Sequence, residues 1–187
     1  MKPVLKTRPL KTVRDYMRLP VEHGVELIEG ELVMSPSPGV RHQRLVGNLY
    51  LLLRRWLGRK GRGEVILSPM DVILSVHTVV QPDLLVVLRR RSSIVRDRIR
   101  GAPDIAIEVL SPSSLERDRL IKRHVYASHG IREYWIVDPQ TRTIEVYSRF
   151  GRRFRLHGAF EGDDRISTPV LPDLRLDPKS IWGSGRR

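Results

Sequence analysis

A chain of 187 residues, 40% hydrophobic and 29% charged, has the size and balance of one domain built on one core. It contains no cysteine, which excludes disulfides, zinc–thiolate centres and cysteine nucleophiles. The formal charge of +13 points to a polyanion such as nucleic acid, although arginine supplies most of it and a compositional bias toward arginine accounts for it as well.

Residues 1–20 are basic and interrupted by Pro3, Pro9 and Pro20. They read as a loose arm ending in a short helix from Thr12 to Leu19, capped by Thr12. The positive charges are not followed by an apolar region, so this is no secretory signal and a cytoplasmic protein is expected. The remainder, 21–187, reads as a single domain. It opens with Glu26-Leu-Ile-Glu-Gly-Glu-Leu-Val-Met34, two short apolar runs about Glu29-Gly30 that predict a β-hairpin. Ser35-Pro-Ser-Pro-Gly39 is a loop.

From Val40 to Trp56 the pattern becomes helical, with Leu45, Leu49, Leu52, Leu53 and Trp56 on one face. Arginines interrupt this segment, and no run of the chain has the length of a membrane span. Short strands are predicted at Glu64–Leu67, Asp71–Leu74, Asp83–Leu88 and Asp104–Leu110. Ser113-Ser-Leu-Glu116 is a capping box that opens a second helix, closed by Gly130. Glu133–Val137 is a buried-type strand, and Thr143–Ser148 with Arg152–Leu156 form a last hairpin. A helix between the strands at Asp104 and Glu133 implies that they pair in parallel. The fold class is therefore α/β, a mixed β-sheet flanked by helices with added β-hairpins at both ends. The proline-rich C-terminal stretch is expected to be irregular.

Three residues carry the chemistry. Strand alternation puts Asp104, Ala106, Glu108 and Leu110 on one face, so Glu108 is a carboxylate within an apolar strand. Such a group must be paired, protonated or bound to a cation, and an arginine salt bridge meets that need as well as a metal does. Asp83 begins its own apolar strand after Gln81-Pro82. Two carboxylates on neighbouring strands, without soft ligands, make a hard oxygen site suited to Mg2+ or Mn2+. Lys122 shares a helical stripe with Asp118 and Tyr126, where it can lean over the same strand end or simply pair with Asp118 at the surface. Glu31 on the first hairpin and His42 in the first turn of the long helix are further candidates, each also consistent with a structural role.

Glu26-Leu-Ile-Glu-Gly-Glu-Leu, Gln-Pro-Asp83, Glu108-Val-Leu-Ser-Pro-Ser-Ser114, Asp118, Lys122 and Glu133-Tyr-Trp-Ile-Val-Asp138 together resemble the Uma2 family of endonucleases. The resemblance implies the PD-(D/E)XK nuclease fold, with a metal-binding Asp and Glu on adjacent strands and a nearby Lys. In that pattern the lysine stands two residues after the Glu, a position occupied here by Leu110; Lys122 on the following helix takes its place. The expected activity is metal-dependent cleavage of DNA. Asp83, Glu108 and the Val109 carbonyl would hold Mg2+ or Mn2+, Lys122 would assist, and a homodimer would pair two sites on a duplex. The alternatives are a non-catalytic nucleic-acid-binding module and a hydrolase of smaller phosphate esters.

Overall fold

The computed structural model describes residues 9–20, 24–35, 37–59, 61–112, 114–162, 164–176 and 178–183. Two sheets organise the chain. The larger has the order β11-β10-β9-β8-β6-β3, built from β3 (Gly63–Leu67), β6 (Leu84–Leu88), β8 (Ile105–Val109), β9 (Glu133–Asp138), β10 (Thr143–Phe150) and β11 (Arg153–Glu161). Its neighbours are antiparallel except β8 and β9, the parallel pair that the intervening helix requires.

The smaller sheet has the order β2-β1-β5-β4-β7, from β1 (Val25–Ile28), β2 (Glu31–Met34), β4 (Val72–Ser75), β5 (Thr78–Val80) and β7 (Ile99–Arg100). The predicted first hairpin is its β1–β2 pair. Glu29 and Gly30 turn that hairpin with positive φ values of 49° and 89°, the geometry that matches strand twist in a tight β-turn. The sequence reading put the strand at Asp71–Leu74 beside the core strands; it belongs to this second sheet instead. Its partner β5 is only three residues long, too short to show a period in the sequence.

Strand alternation distributes the core. Ile105, Ile107, Val109, Trp135 and Val137 meet Leu45, Leu49, Leu53 and Leu57 of α2 (Val40–Gly58) on one face of the large sheet. On the other face, Leu85, Val87, Ala106, Tyr134 and Ile136 meet Ile28, Val72 and Val80 of the small sheet and Val125 and Tyr126 of α3 (Arg123–Ser128). The predicted second helix is present, but Arg117–Lys122, just before α3, is wound as a π-helix. Its expected cap, Ser113, lies outside the described residues. The short helix α1 (Val13–Tyr16) carries the predicted Thr12 cap, closed into a capping box by Asp15, and Tyr16 packs with Val25, Leu27 and Val79.

The C-terminal segment is largely irregular, as expected, but ends in a short helix, α4 (Pro178–Trp182). Glu133 fastens the segment to the sheet: its fully buried carboxylate accepts hydrogen bonds from the Trp135 indole (3.1 Å), the Val170 N–H (2.6 Å) and the Thr168 hydroxyl. Glu133→Ala strands two buried donors, so a loss of about 3 kcal/mol is expected, lowering Tm by on the order of 10 °C. Thermal unfolding measures it, and a variant as stable as the parent would show that the carboxylate is dispensable.

Candidate active site

A cavity of about 650 Å³ opens between the two sheets, bounded by the N-terminal turn of α2 and by the π-helix. Each wall contributes through a simple periodicity. Leu84 of β6 pairs with Ile107 of β8, so one step further along the ladder Asp83 stands beside Glu108. On β1, Glu26 shares a face with Ile28 and points into the space between the sheets. In the π-helix the wider turn brings positions five apart onto one side, and Arg117, Asp118 and Lys122 all line the cavity. Leu120 and Ile121 are left exposed on its outer side.

Glu108, Lys122, Glu26 and Asp118 are each at most 3% exposed. The Lys122 ammonium donates to Glu108 Oε1 at 2.9 Å and lies 3.1 Å from Glu26 Oε1 and 3.7 Å from Asp118 Oδ1. Tyr126 donates its hydroxyl to the same Glu108 oxygen at 2.6 Å, and Gln81 N–H donates to Glu26 Oε1 at 2.7 Å. Asp83 Oδ2 accepts the Val109 N–H at 2.8 Å and sits 3.0 Å from His42 Nε2. Burial raises the pKa of Glu108 well above the glutamate norm, with the Lys122 charge opposing, and burial likewise raises Asp118. For Lys122 burial works the other way, but Glu108, Glu26 and Asp118 outweigh it and keep the ammonium charged. Burial also disfavours a charged His42, and the Asp83 hydrogen bond and charge more than offset it.

The structure thus brings Asp83, Glu108, Lys122, Asp118 and His42 to one cavity. Val109 offers the site its N–H, while its side chain packs on the α2 face. Glu31 stands elsewhere, exposed at the start of β2 and outside the cavity lining. The hairpin acid that does reach the cavity is Glu26. Sequence alternation could have found it, since Glu26 interrupts the apolar positions of its strand as Glu108 does. Arg117, at the cavity wall, was also missed.

Charge and donor chemistry test whether such a site fits a divalent cation. Lys122 is one ammonium facing three buried carboxylates, with Asp83 beside them. Glu26 Oε2 and Asp118 Oδ1 are buried without hydrogen-bond partners. Buried anionic oxygens in excess of their counter-charges suit a hard cation. Among the described residues no three acidic or histidine side chains converge at metal-ligand distance, and the ammonium stands among those that come nearest.

The match to a known family extends over most of the chain. Residues 13–179 fit the family model Uma2, described as "Putative restriction endonuclease". The chain belongs to the Uma2 family. A crystal structure from Anabaena variabilis, of "a putative nuclease belonging to DUF820", has the same fold, with a TM-score of 0.77 over 91% of this chain and 97% of that one, at 21% identity. An uncharacterized Synechocystis protein, sll1609, is 25% identical over 155 residues, 80% of this chain and 87% of that relative. The α/β nuclease-like fold expected for a Uma2 protein is therefore the fold of this chain. None of its described helices is long and apolar enough to cross a membrane.

Proposed function

We propose that this Uma2 protein is a metal-dependent endonuclease that hydrolyses phosphodiester bonds in DNA. The observation that carries the reading is the buried Glu26–Glu108–Asp118 group around Lys122, with Asp83 alongside and two carboxylate oxygens unpartnered. A module that only bound DNA would need positive charge in this cavity, not an excess of buried carboxylates. Asp83 and Glu108 would hold Mg2+ or Mn2+ near the Val109 backbone. Once bound, that cation supplies Lewis acidity and a water acidic enough to ionise near neutral pH.

The remaining work falls to the protein. Tyr126 fixes the Glu108 carboxylate through its hydroxyl. The permanently charged Lys122 offers its ammonium to the charge that develops on the phosphate, in a cavity where low dielectric strengthens the effect. Arg117 has a buried Nε without a hydrogen bond and a guanidinium at the cavity wall, placed to meet a flanking phosphate. A homodimer would supply two such sites for the two strands of a duplex. A cytoplasmic location belongs to the same reading.

Mn2+ titration tests the ligand assignment: wild type should bind and Asp83→Asn, which still accepts the Val109 N–H, should not. Equal binding by both would remove Asp83 from the site. The affinity should also rise with pH. Because burial holds Glu108 above its usual 4.5 and raises Asp118 too, protons compete with the cation at a higher pH than at exposed carboxylates. Identical affinities at about pH 5.5 and about pH 8 would contradict this. Duplex binding should weaken about tenfold or more between roughly 50 and 200 mM salt, as counterion release requires. A flat salt response would make the +13 charge a matter of composition alone.

A further inference from the structure

The Lys122 ammonium does more than sit near an acidic centre. Three carboxylate oxygens from three different elements surround it: Glu26 of β1 at 3.1 Å, Glu108 of β8 at 2.9 Å and Asp118 of the π-helix at 3.7 Å. Its role toward them is that of a coordinated cation, holding together groups that would otherwise repel. Yet one positive charge does not neutralise three carboxylates. The shortfall is visible in the hydrogen bonding: Glu26 Oε2 and Asp118 Oδ1, on residues 2% exposed, have no partner although both residues line the cavity.

We propose that Glu26, Glu108 and Asp118 form a second divalent-cation position, distinct from the one assigned to Asp83 and Glu108, and that Lys122 closes it by occupying it with its own ammonium. The inference rests on the metal-dependent reading above and extends it. Lys122 and a second cation are then mutually exclusive tenants of the same three carboxylates. The arrangement limits the centre to a single metal while the ammonium remains in place. The unpartnered Glu26 and Asp118 oxygens are the donors a second cation would use, and a divalent ion would meet the charge shortfall that the ammonium leaves.

The experiment counts Mn2+ by the loss of the free-ion paramagnetic resonance signal, and follows Tm with chelator or with Mn2+. Wild type is expected to take up one equivalent. Lys122→Met should take up a second, and Lys122→Met/Glu26→Gln should lose it again. Lys122→Met leaves buried carboxylates facing one another, so without metal it may be poorly folded; in that case Mn2+ should restore a cooperative thermal transition. Its Mn2+-induced gain in Tm should exceed that of wild type. A Lys122→Met protein that gains no equivalent, or that Mn2+ does not stabilise beyond the wild-type increment, overturns the second position. Wild type binding no Mn2+ at all would instead sink the metal-dependent reading, and the second position with it.

Discussion

Glu108→Gln should abolish metal-dependent cleavage while leaving the protein at least as stable as before. The glutamine keeps the shape of the side chain, and its amide oxygen can still accept from Tyr126 and Lys122 at the place of Oε1. What disappears is a charge that burial disfavours. A folded-state pKa raised above the unfolded value means that the native state binds its proton more tightly, so this carboxylate contributes stability at low pH that is lost as pH rises through the raised pKa. The neutral amide escapes that loss. Catalysis has no such escape, because both the cation and the reacting phosphate depend on the anionic oxygen. A fall of about a hundredfold or more in cleavage rate is expected, the scale lost when a group stabilising transition-state charge is removed. Activity and Tm should thus move in opposite directions. A Gln variant that cuts at the wild-type rate would show that Glu108 is a structural acid.

Lys122→Met should produce the larger loss of stability. The ammonium is buried and has three carboxylate neighbours, and removing it leaves their charges uncompensated. Breaking a buried pair in this way costs about 3–5 kcal/mol. For a domain of this size that lowers the metal-free Tm by on the order of 10 °C, measurable by calorimetry with chelator present. Cleavage should also fall by about two orders of magnitude or more, since the charge that Lys122 offers the phosphate is needed mainly in the transition state. Metal affinity should not fall with it. That separation distinguishes a catalytic ammonium from a simple structural counter-ion, whose loss would reduce all three quantities together. A metal-free Tm equal to wild type would mean that the carboxylates are already neutral without it.

Much of this site could be read from the sequence because strands and helices sort residues by simple periods. Alternation through Asp104–Leu110 placed Glu108 on the face opposite Ile105, Ile107 and Val109, and the two core clusters divide there. The four-residue spacing of Asp118, Lys122 and Tyr126 brought them to a common side, and Lys122 and Tyr126 meet on one oxygen of Glu108. The π-helix was not legible, because a four-residue recurrence is satisfied by an α-helix as well; the wider turn is what adds Arg117 to the cavity. Glu26 was passed over for Glu31 because each hairpin acid reads alike until its neighbours are known. The neighbour that buries Glu26 is the second sheet, whose β5 is too short to announce itself and whose Gln81 supplies the N–H to Glu26 Oε1. The His42–Asp83 contact spans 41 positions and depends on how the start of α2 meets the end of the sheet, which no local pattern encodes.

Incubating the purified protein with supercoiled plasmid tests the central claim most directly, with Mg2+ or Mn2+, with chelator, and with Asp83→Asn in parallel. Nicked or linear product should form with either cation and wild type, and should be absent with chelator and with Asp83→Asn. Product that forms equally in chelator or with the variant would contradict a metal-dependent reaction at this site, and intact plasmid under every condition would contradict the endonuclease assignment itself.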